Sequence, residues 1–248
     1  MIPLKDNNPR FSTPYVTWGL IAANVLVFFY EVALGPHGMR GFVSYFGLIP
    51  LRAFQPEIFM QAVFEHARYG QLVAVDLPPR YLPFLSSMFM HGGWLHLGGN
   101  MLYLYVFGDN VEDALGHVRY LFFYLVCGVG ASLAHCWVAM ALRPGDALTT
   151  VVGASGAVAG VLGAYIYMYP RARVLTLVPV FVFLQMIELP AQLVLGLWFV
   201  IQFFSGVGSL GRYAGGGVAF WAHIGGFVLG LGLAMVLPRR RRPRAIYL

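Results

Sequence analysis

Long apolar runs constrain the fold of this chain more than any other feature. Six segments are long enough, and poor enough in charged residues, to cross roughly 30 Å of hydrocarbon. Because backbone groups in hydrocarbon need internal hydrogen bonds, each run is predicted to be a helix. Only 10% of the residues are charged, against about 25% in a soluble domain. The predicted spans cover about 15–34, 91–108, 118–141, 151–169, 189–206 and 218–237.

These spans predict an all-α membrane protein, a bundle of six transmembrane helices in one domain, 15–237. A polar segment, 1–14, precedes the domain, and a basic tail, 238–248, follows it. Ten of the 16 Lys and Arg residues lie on the side that both termini share, so the positive-inside rule predicts cytoplasmic termini. The net charge of +6 needs no nucleic-acid partner, because a basic tail suits anionic lipid headgroups. The lipid bilayer is therefore the expected partner.

Two connections between the predicted spans contain apolar residues, so their pattern does not simply indicate a polar loop. A long outer loop covers 35–90, and within it 54–71 has apolar residues at helical spacing. This pattern fits either an amphipathic helix in the headgroup layer or an ordered loop packed on the helix ends. The segment 174–188 is expected along or dipping into the cytoplasmic interface. Pro190 is expected in the first turn of the fifth span.

Polar residues occur at one depth in three of the spans. His96 and Asn100 lie four residues apart in span two, Ser155 lies near the start of span four, and His223 near the start of span six. At 1.5 Å per residue these groups fall about 6–14 Å below the outer surface. Polar groups are costly in a membrane and commonly functional. Their common depth indicates a shared site.

Small residues let two of these helices approach closely. Span four and span six each have small residues on one face, at spacings of three and four, which favours close backbone packing in lipid. The positions are Gly153, Gly156, Gly160 and Gly163 on span four, and Ala219, Gly226 and Gly230 beside His223 on span six. A serine hydroxyl beside an imidazole is the minimum nucleophile and general base. Taken singly, these residues could serve only in packing or in hydrogen bonds between helices.

Three motifs together resemble the rhomboid intramembrane serine proteases. They are "HGGWLHLGGN", "GASG" and "AHIGG", in this order on spans two, four and six, and the similarity covers about 80–237. The resemblance implies that Ser155 is the nucleophile and His223 the general base, in a dyad without an acidic third member. His96, Asn100 and the Ser155 backbone N–H would form the oxyanion hole.

The resemblance also implies supporting roles for other residues. Gly153 and Gly156 would keep the backbone close to the substrate carbonyl, and Glu112 would tie helix ends together. His91, near the outer boundary, is expected to be structural or interfacial.

The sequence departs from the family at two places. The family's Trp-Arg pair of the first loop would fall near Leu82 and Pro83 and is absent. Where some members have a tyrosine under the catalytic histidine, this chain has Ala159. How the His223 ring would be held is therefore open.

The implied function is hydrolysis of peptide bonds in transmembrane segments of membrane proteins, near the outer face and without a metal or other cofactor. Substrate helices that unwind easily are expected, with access beside span five. An inactive rhomboid-like protein that binds membrane clients is one alternative, although such proteins usually lack the serine or the histidine. A transporter is another, disfavoured by the shallow polar groups and the lack of an inverted repeat. Low Lys with high Ala, Gly and Arg suggests a bacterial inner membrane, while substrates and oligomeric state stay open.

Overall fold

The computed structural model of the chain describes residues 1–67, 78–180, 183–210 and 218–240. Arg68, Arg212 and most of the basic tail, which entered the orientation count, lie outside the described residues. In chain order the elements are β1 (Ile2–Asp6), α1 (Tyr15–Ala33), α2 (Gly35–Phe46), α3 (Pro50–Phe54), α4 (Pro56–Ala67), α5 (Pro83–Ser86), α6 (Trp94–Leu115), α7 (His117–Ala141), α8 (Ser155–Met168), β2 (Arg173–Val180), β3 (Phe183–Pro190), α9 (Ala191–Ser209) and α10 (Phe220–Val236), with 3₁₀ turns at Ser87–Phe89 and Pro144–Asp146.

Each predicted span overlaps one helix, so the mostly helical membrane fold is confirmed. Among the described residues, α1, α7 and α9 are long and apolar enough to cross a membrane, and α8 and α10 are shorter apolar helices. The second span corresponds to α6, which carries polar residues at both ends. Six membrane crossings and cytoplasmic termini stay predictions.

Span four begins later than predicted. Residues 151–154 are not helical, and α8 begins at Ser155. Val151 instead forms two backbone hydrogen bonds with Leu48 of the outer loop, at 3.0 and 2.7 Å, and Gly153 has φ +129°, which a helix does not accommodate. With 14 residues, α8 is only about 21 Å long, shorter than the hydrocarbon layer. Its first residue, Ser155, is half-buried.

Helix α6 is longer than predicted, because it continues to Leu115 through the stretch expected to be a loop. Its carboxylate and amide side chains are held there by partners that include residues of the N-terminal segment and α1. Gly116 alone separates α6 from α7, and its φ of +82° favours glycine. Pro190, expected in the first turn of α9, is its N-cap and the last residue of β3.

A small sheet contradicts the all-α class. The strands lie in the order β1-β2-β3, and both pairings are antiparallel. The segment 174–188, expected along the interface, forms the β2–β3 hairpin, and the polar N-terminal segment supplies the third strand. An apolar run of this length does not by itself distinguish a strand from an interfacial segment. Gln185 and Glu188 are exposed, as expected for side chains that reach water.

The connection 35–90, predicted to be an outer loop, contains α2, α3, α4 and α5 in its described part. Buried Arg52 donates to the carbonyl oxygens of Ser44, Tyr45 and Gly47 at 2.7, 3.1 and 2.5 Å, which ties the loop together. The apolar pattern of 54–71 forms α4, with Phe59 buried on the helix; residues 68–71 lie outside the described part. The loop is thus both helical and packed.

Helices α8 and α10 pack backbone against backbone. A Cβ atom added to Gly226 would lie 2.1 Å from the Gly156 carbonyl oxygen, and one on Gly230 would lie 2.0 Å from that of Gly160. Only glycine permits such an approach. The Ala222 carbonyl oxygen would likewise lie 3.8 Å from a Cβ on Gly156. Ser155 is next to Gly156 in the chain, and His223 is next to Ala222. The contact therefore brings Ser155 and His223 to the same level of adjacent helices.

Candidate active site

A cavity of about 700 Å³ lies at one end of the bundle, which we call the cavity end. Its lining includes the four polar residues that the sequence placed at one depth: His96, Asn100, Ser155 and His223. They come from α6, α8 and α10. The fold thus brings the predicted residues into one space.

Ser155 is half-buried at the start of α8, facing this cavity. As the first helical residue, its backbone N–H has no partner within the helix. Gly153 precedes it and donates its N–H to the Ser87 carbonyl oxygen at 2.8 Å. The turn therefore presents both the hydroxyl and a backbone donor at a helix N-terminus, where negative charge is stabilised.

His223 is held by two residues of α9. Its Nδ1 atom lies 2.7 Å from the Gln202 Oε1 atom, and its ring centroid lies 5.7 Å from that of Trp198, with the planes at 33°. With the amide oxygen of Gln202 toward the ring, this hydrogen bond requires a proton on Nδ1, and a neutral ring then has Nε2 as an acceptor. The ring is thus supported from α9, although Ala159 offers no aromatic contact from α8.

The described residues include no hydrogen bond between the Ser155 hydroxyl and the His223 ring. The recorded hydrogen bond of His223 is the one to Gln202. Contacts between a nucleophile and its base are often long without substrate and tighten when substrate binds.

His96 lies beside the candidate nucleophile. A Cβ atom on Gly153 would lie 2.8 Å from the His96 Nε2 atom and 3.7 Å from the Ser155 Oγ atom. The Gly92 backbone N–H donates to the His96 Nδ1 atom at 3.4 Å, so a neutral ring carries its proton on Nε2. That N–H is near the Ser155 hydroxyl and is suited to donate to an oxyanion.

Asn100 is oriented by His91. The Asn100 Nδ2 atom donates to the His91 Nε2 atom at 3.0 Å, and one of its two N–H groups is left for the cavity. His91 is fully buried, and its backbone N–H donates to the Glu31 Oε2 atom of α1 at 3.2 Å. His91 thus links Asn100 to α1, and its structural or interfacial role stays a prediction.

Glu112 lies at the opposite end of α6, which we call the capped end. Its buried carboxylate accepts the backbone N–H groups of Val16 and Thr17 at 2.9 and 2.7 Å and the Thr17 hydroxyl at 2.7 Å. It also contacts the His117 Nδ1 atom at 2.6 Å. Because the N-cap of α1, Pro14, makes no side-chain cap, Glu112 caps α1 from another helix. These contacts join the capped end of α6 to the first turn of α1.

Four residues near the site were not singled out from the sequence. Trp198 and Gln202 support His223, Glu31 supports His91, and buried His135 of α7 lies on the cavity wall. A polar residue within an apolar span was a signal for Gln202 and Glu31. Its partner depends on which helix faces meet, which one span alone does not reveal. In the described part of the chain, no three His, Cys, Asp or Glu residues are grouped closely enough to hold a metal ion.

The described residues thus form an apolar helical bundle with a cavity at one end, whose mostly apolar lining includes a few polar side chains. Residues 78–240, well over half of the chain, match the Rhomboid domain, and the chain belongs to the rhomboid family.

Similar proteins carry the same family name. Rhomboid protein 1, mitochondrial, of Saccharomyces cerevisiae is 34% identical over 110 residues, 43% of this chain and 31% of the yeast protein. Rhomboid-like protein 11, chloroplastic, of Arabidopsis thaliana is 40% identical over 82 residues, 33% of this chain and 27% of the plant protein. Rhomboid protease AarA of Providencia stuartii is 27% identical over 165 residues, 62% of this chain and 52% of the relative. The matches thus span roughly a quarter to a half of each relative.

The localisation expected from composition is wrong. Several matching relatives are named as mitochondrial or chloroplastic, and these names point to organellar membranes and not to a bacterial inner membrane. Amino-acid composition depends on codon and lipid preferences, which are only indirectly related to the membrane in which a protein resides. It was therefore a weak guide to localisation.

Proposed function

We propose that this protein is a serine endopeptidase that cleaves transmembrane segments within the bilayer, with Ser155 as nucleophile and His223 as general base. The observation that carries the proposal is the glycine contact between α8 and α10. It sets both residues on the wall of one cavity, which His96 and Asn100 also line. The unprotonated Nε2 atom of His223 has the form that a general base requires.

The chemistry follows from these positions. The Ser155 hydroxyl attacks the scissile carbonyl carbon while His223 Nε2 takes its proton. The tetrahedral oxyanion accepts hydrogen bonds from the Ser155 N–H, the Asn100 amide and His96 Nε2–H. His223 then protonates the leaving amine, and the C–N bond breaks to give an acyl-enzyme. A water molecule, deprotonated by His223, releases the second product. Each oxyanion donor is worth about 10²–10³ in rate.

The substrate has to expose an extended backbone at the cavity. We therefore expect membrane segments that unwind easily near the end of the helix that enters the cavity end. Six crossings with cytoplasmic termini would place that end toward the outer face. Access beside α9 fits the exposed apolar side chains of this helix, among them Leu193, Ile201 and Phe204.

The direct test is labelling by a fluorophosphonate probe, which reacts with activated serines. Purified protein in detergent should be labelled at Ser155, as mapped by mass spectrometry. Ser155→Ala and His223→Ala should both abolish labelling. Ser132→Ala is the matched control, because Ser132 lines the same cavity from α7, and it should be labelled normally.

Labelling that persists in Ser155→Ala would reject the nucleophile assignment. A folded protein that resists the probe but still binds a membrane segment would favour the client-binding alternative.

A further inference from the structure

The base of the proposed dyad is oriented from α9, the helix beside which substrate access is proposed. Gln202 and Trp198 lie four residues apart, on one face of that helix. One binds the His223 Nδ1 atom at 2.7 Å, and the other lies beside the ring. His223 is buried, with 8% of the residue's surface exposed. Its orientation therefore depends on these two contacts.

We propose that Gln202 is a positioning residue, which fixes the Nδ1–H tautomer of His223 and thereby makes the base competent only while α9 is packed against α10. This inference rests on the proposed function. In a neutral imidazole one nitrogen carries the proton and the other accepts. Without an acceptor at Nδ1, the proton can reside on Nε2, and His223 could then not accept the Ser155 proton.

Among the described residues, the hydrogen bond recorded for the His223 side chain is the one to Gln202. Helix α7 carries His135 on the cavity wall and the buried Cys127 and Cys136. The tyrosines of α8 are Tyr165 and Tyr167, and α9 has no charged residue. His96 faces the same cavity, and the Arg143–Asp146 ion pair, at 2.7 Å, closes its wall. Asp146 is already paired with Arg143. Gln202 thus occupies the place that a third, acidic residue holds in a Ser-His-Asp triad.

The contact also couples the base to the helix that borders the access route. Gln202 belongs to α9, whereas His223 belongs to α10, so separation of these helices breaks the hydrogen bond. Trp198 would be withdrawn from the ring at the same time. If α9 moves away from α10 to admit a substrate, the dyad would be assembled only once α9 packs against α10 again.

The first test compares two replacements of Gln202. Gln202→Leu has a similar size but no acceptor, and kcat should fall about ten- to hundredfold with KM little changed, because the general base is misprotonated. Gln202→Glu keeps an acceptor oxygen and should retain most of kcat. The acidic limb of its pH–rate profile should move to higher pH, because a carboxylate stabilises the protonated ring. Gln192→Leu is the matched control: this exposed glutamine of α9 should be replaceable without effect.

The second test needs no catalysis. In protein labelled with ¹⁵N-histidine, the His223 signals, assigned with His223→Ala, should show a protonated Nδ1 in the original chain and a change in Gln202→Leu. A protonated Nε2 in the original chain would overturn the proposal, as would equal kcat losses in Gln202→Leu and Gln202→Glu. If Nδ1 is protonated but the protein has no protease activity, Gln202 remains the hydrogen-bond partner of His223, and only the proposed function is rejected.

Discussion

The two ends of the bundle contain the same kinds of polar side chain and use them differently. At the capped end, Glu112, Asp6 and Asn110 are bound by partners on other elements. At the cavity end, Ser155 and His96 face an open space of about 700 Å³. The polar groups of the capped end form hydrogen bonds within the protein, whereas some polar groups of the cavity end are left to bind a ligand.

This difference shows what distinguishes a structural polar residue from a functional one within a membrane protein. Burial does not, because Glu112 at the capped end and Asn100 and His223 at the cavity end are all buried. The distinction lies in where the chain of hydrogen bonds ends. From Glu31 through His91 it ends at Asn100, on the cavity wall, whereas from Glu112 it ends at the first turn of α1.

The largest expected effect separates two serines. Ser155→Ala should reduce cleavage of a model membrane substrate by roughly 10⁴-fold or more, because the nucleophile is lost, with the thermal unfolding midpoint unchanged. Ser12 at the capped end donates to the Asp113 Oδ1 atom at 2.5 Å. Ser12→Ala should keep the rate and lower the free energy of unfolding by about 1 kcal/mol. Full activity in Ser155→Ala would contradict the comparison.

Two asparagines give the next contrast. Asn100→Ala should slow cleavage by about 10²–10³ through loss of an oxyanion donor, without preventing folding. Asn110 donates from Nδ2 to the Asp6 and Asp109 carboxylates, both at 3.0 Å. Asn110→Ala should instead lower the free energy of unfolding by about 1–3 kcal/mol, with kcat preserved. Kinetics and thermal unfolding of both variants, measured side by side, check this, and a normal rate in Asn100→Ala would remove it from the oxyanion role.

Two glycines of α10 test the close packing of α8 against α10, the helices that run between the two ends of the bundle. A Cβ on Gly230 would lie 2.0 Å from the Gly160 carbonyl oxygen, whereas one on Gly232 meets no atom within 4 Å. Gly230→Ala should lower the free energy of unfolding by about 1–3 kcal/mol, because backbone atoms have to separate. Gly232→Ala should be neutral or slightly stabilising. Equal unfolding midpoints in the two variants would mean that α8 and α10 do not touch there.

The smallest effect concerns pH and the capped end. Burial raises the pKa of Asp6 to about 6 from its usual 3.8, against the hydrogen bond that Tyr165 donates to it. Because the folded pKa is the higher one, the stabilisation is complete below the unfolded value and is lost as the pH rises through about 6. The unfolding midpoint should therefore fall between about pH 4 and 7 relative to Asp6→Asn. Parallel curves for the two proteins would contradict this account, and cleavage rates should match throughout.

Much of this architecture could be predicted because it depends on local pattern. Run length placed a helix in each of six segments, and helical spacing put Gly226 and His223 on one face. The site residues could be grouped because polar residues are rare enough in apolar spans for a common depth to stand out. The start of α8 was missed, since it depends on the pairing of Val151 with Leu48 across about a hundred residues of chain.

The sequence by itself determined where the helices lie and which polar residues share a level, because hydrophobicity and periodicity are properties of each segment alone. Only the tertiary structure decided which faces meet. It paired β1 with β2, placed Glu112 on the first turn of α1, and set Gln202 against His223. The physical reason is that a contact between distant segments depends on the packing of both, and neither segment's pattern contains the other's position.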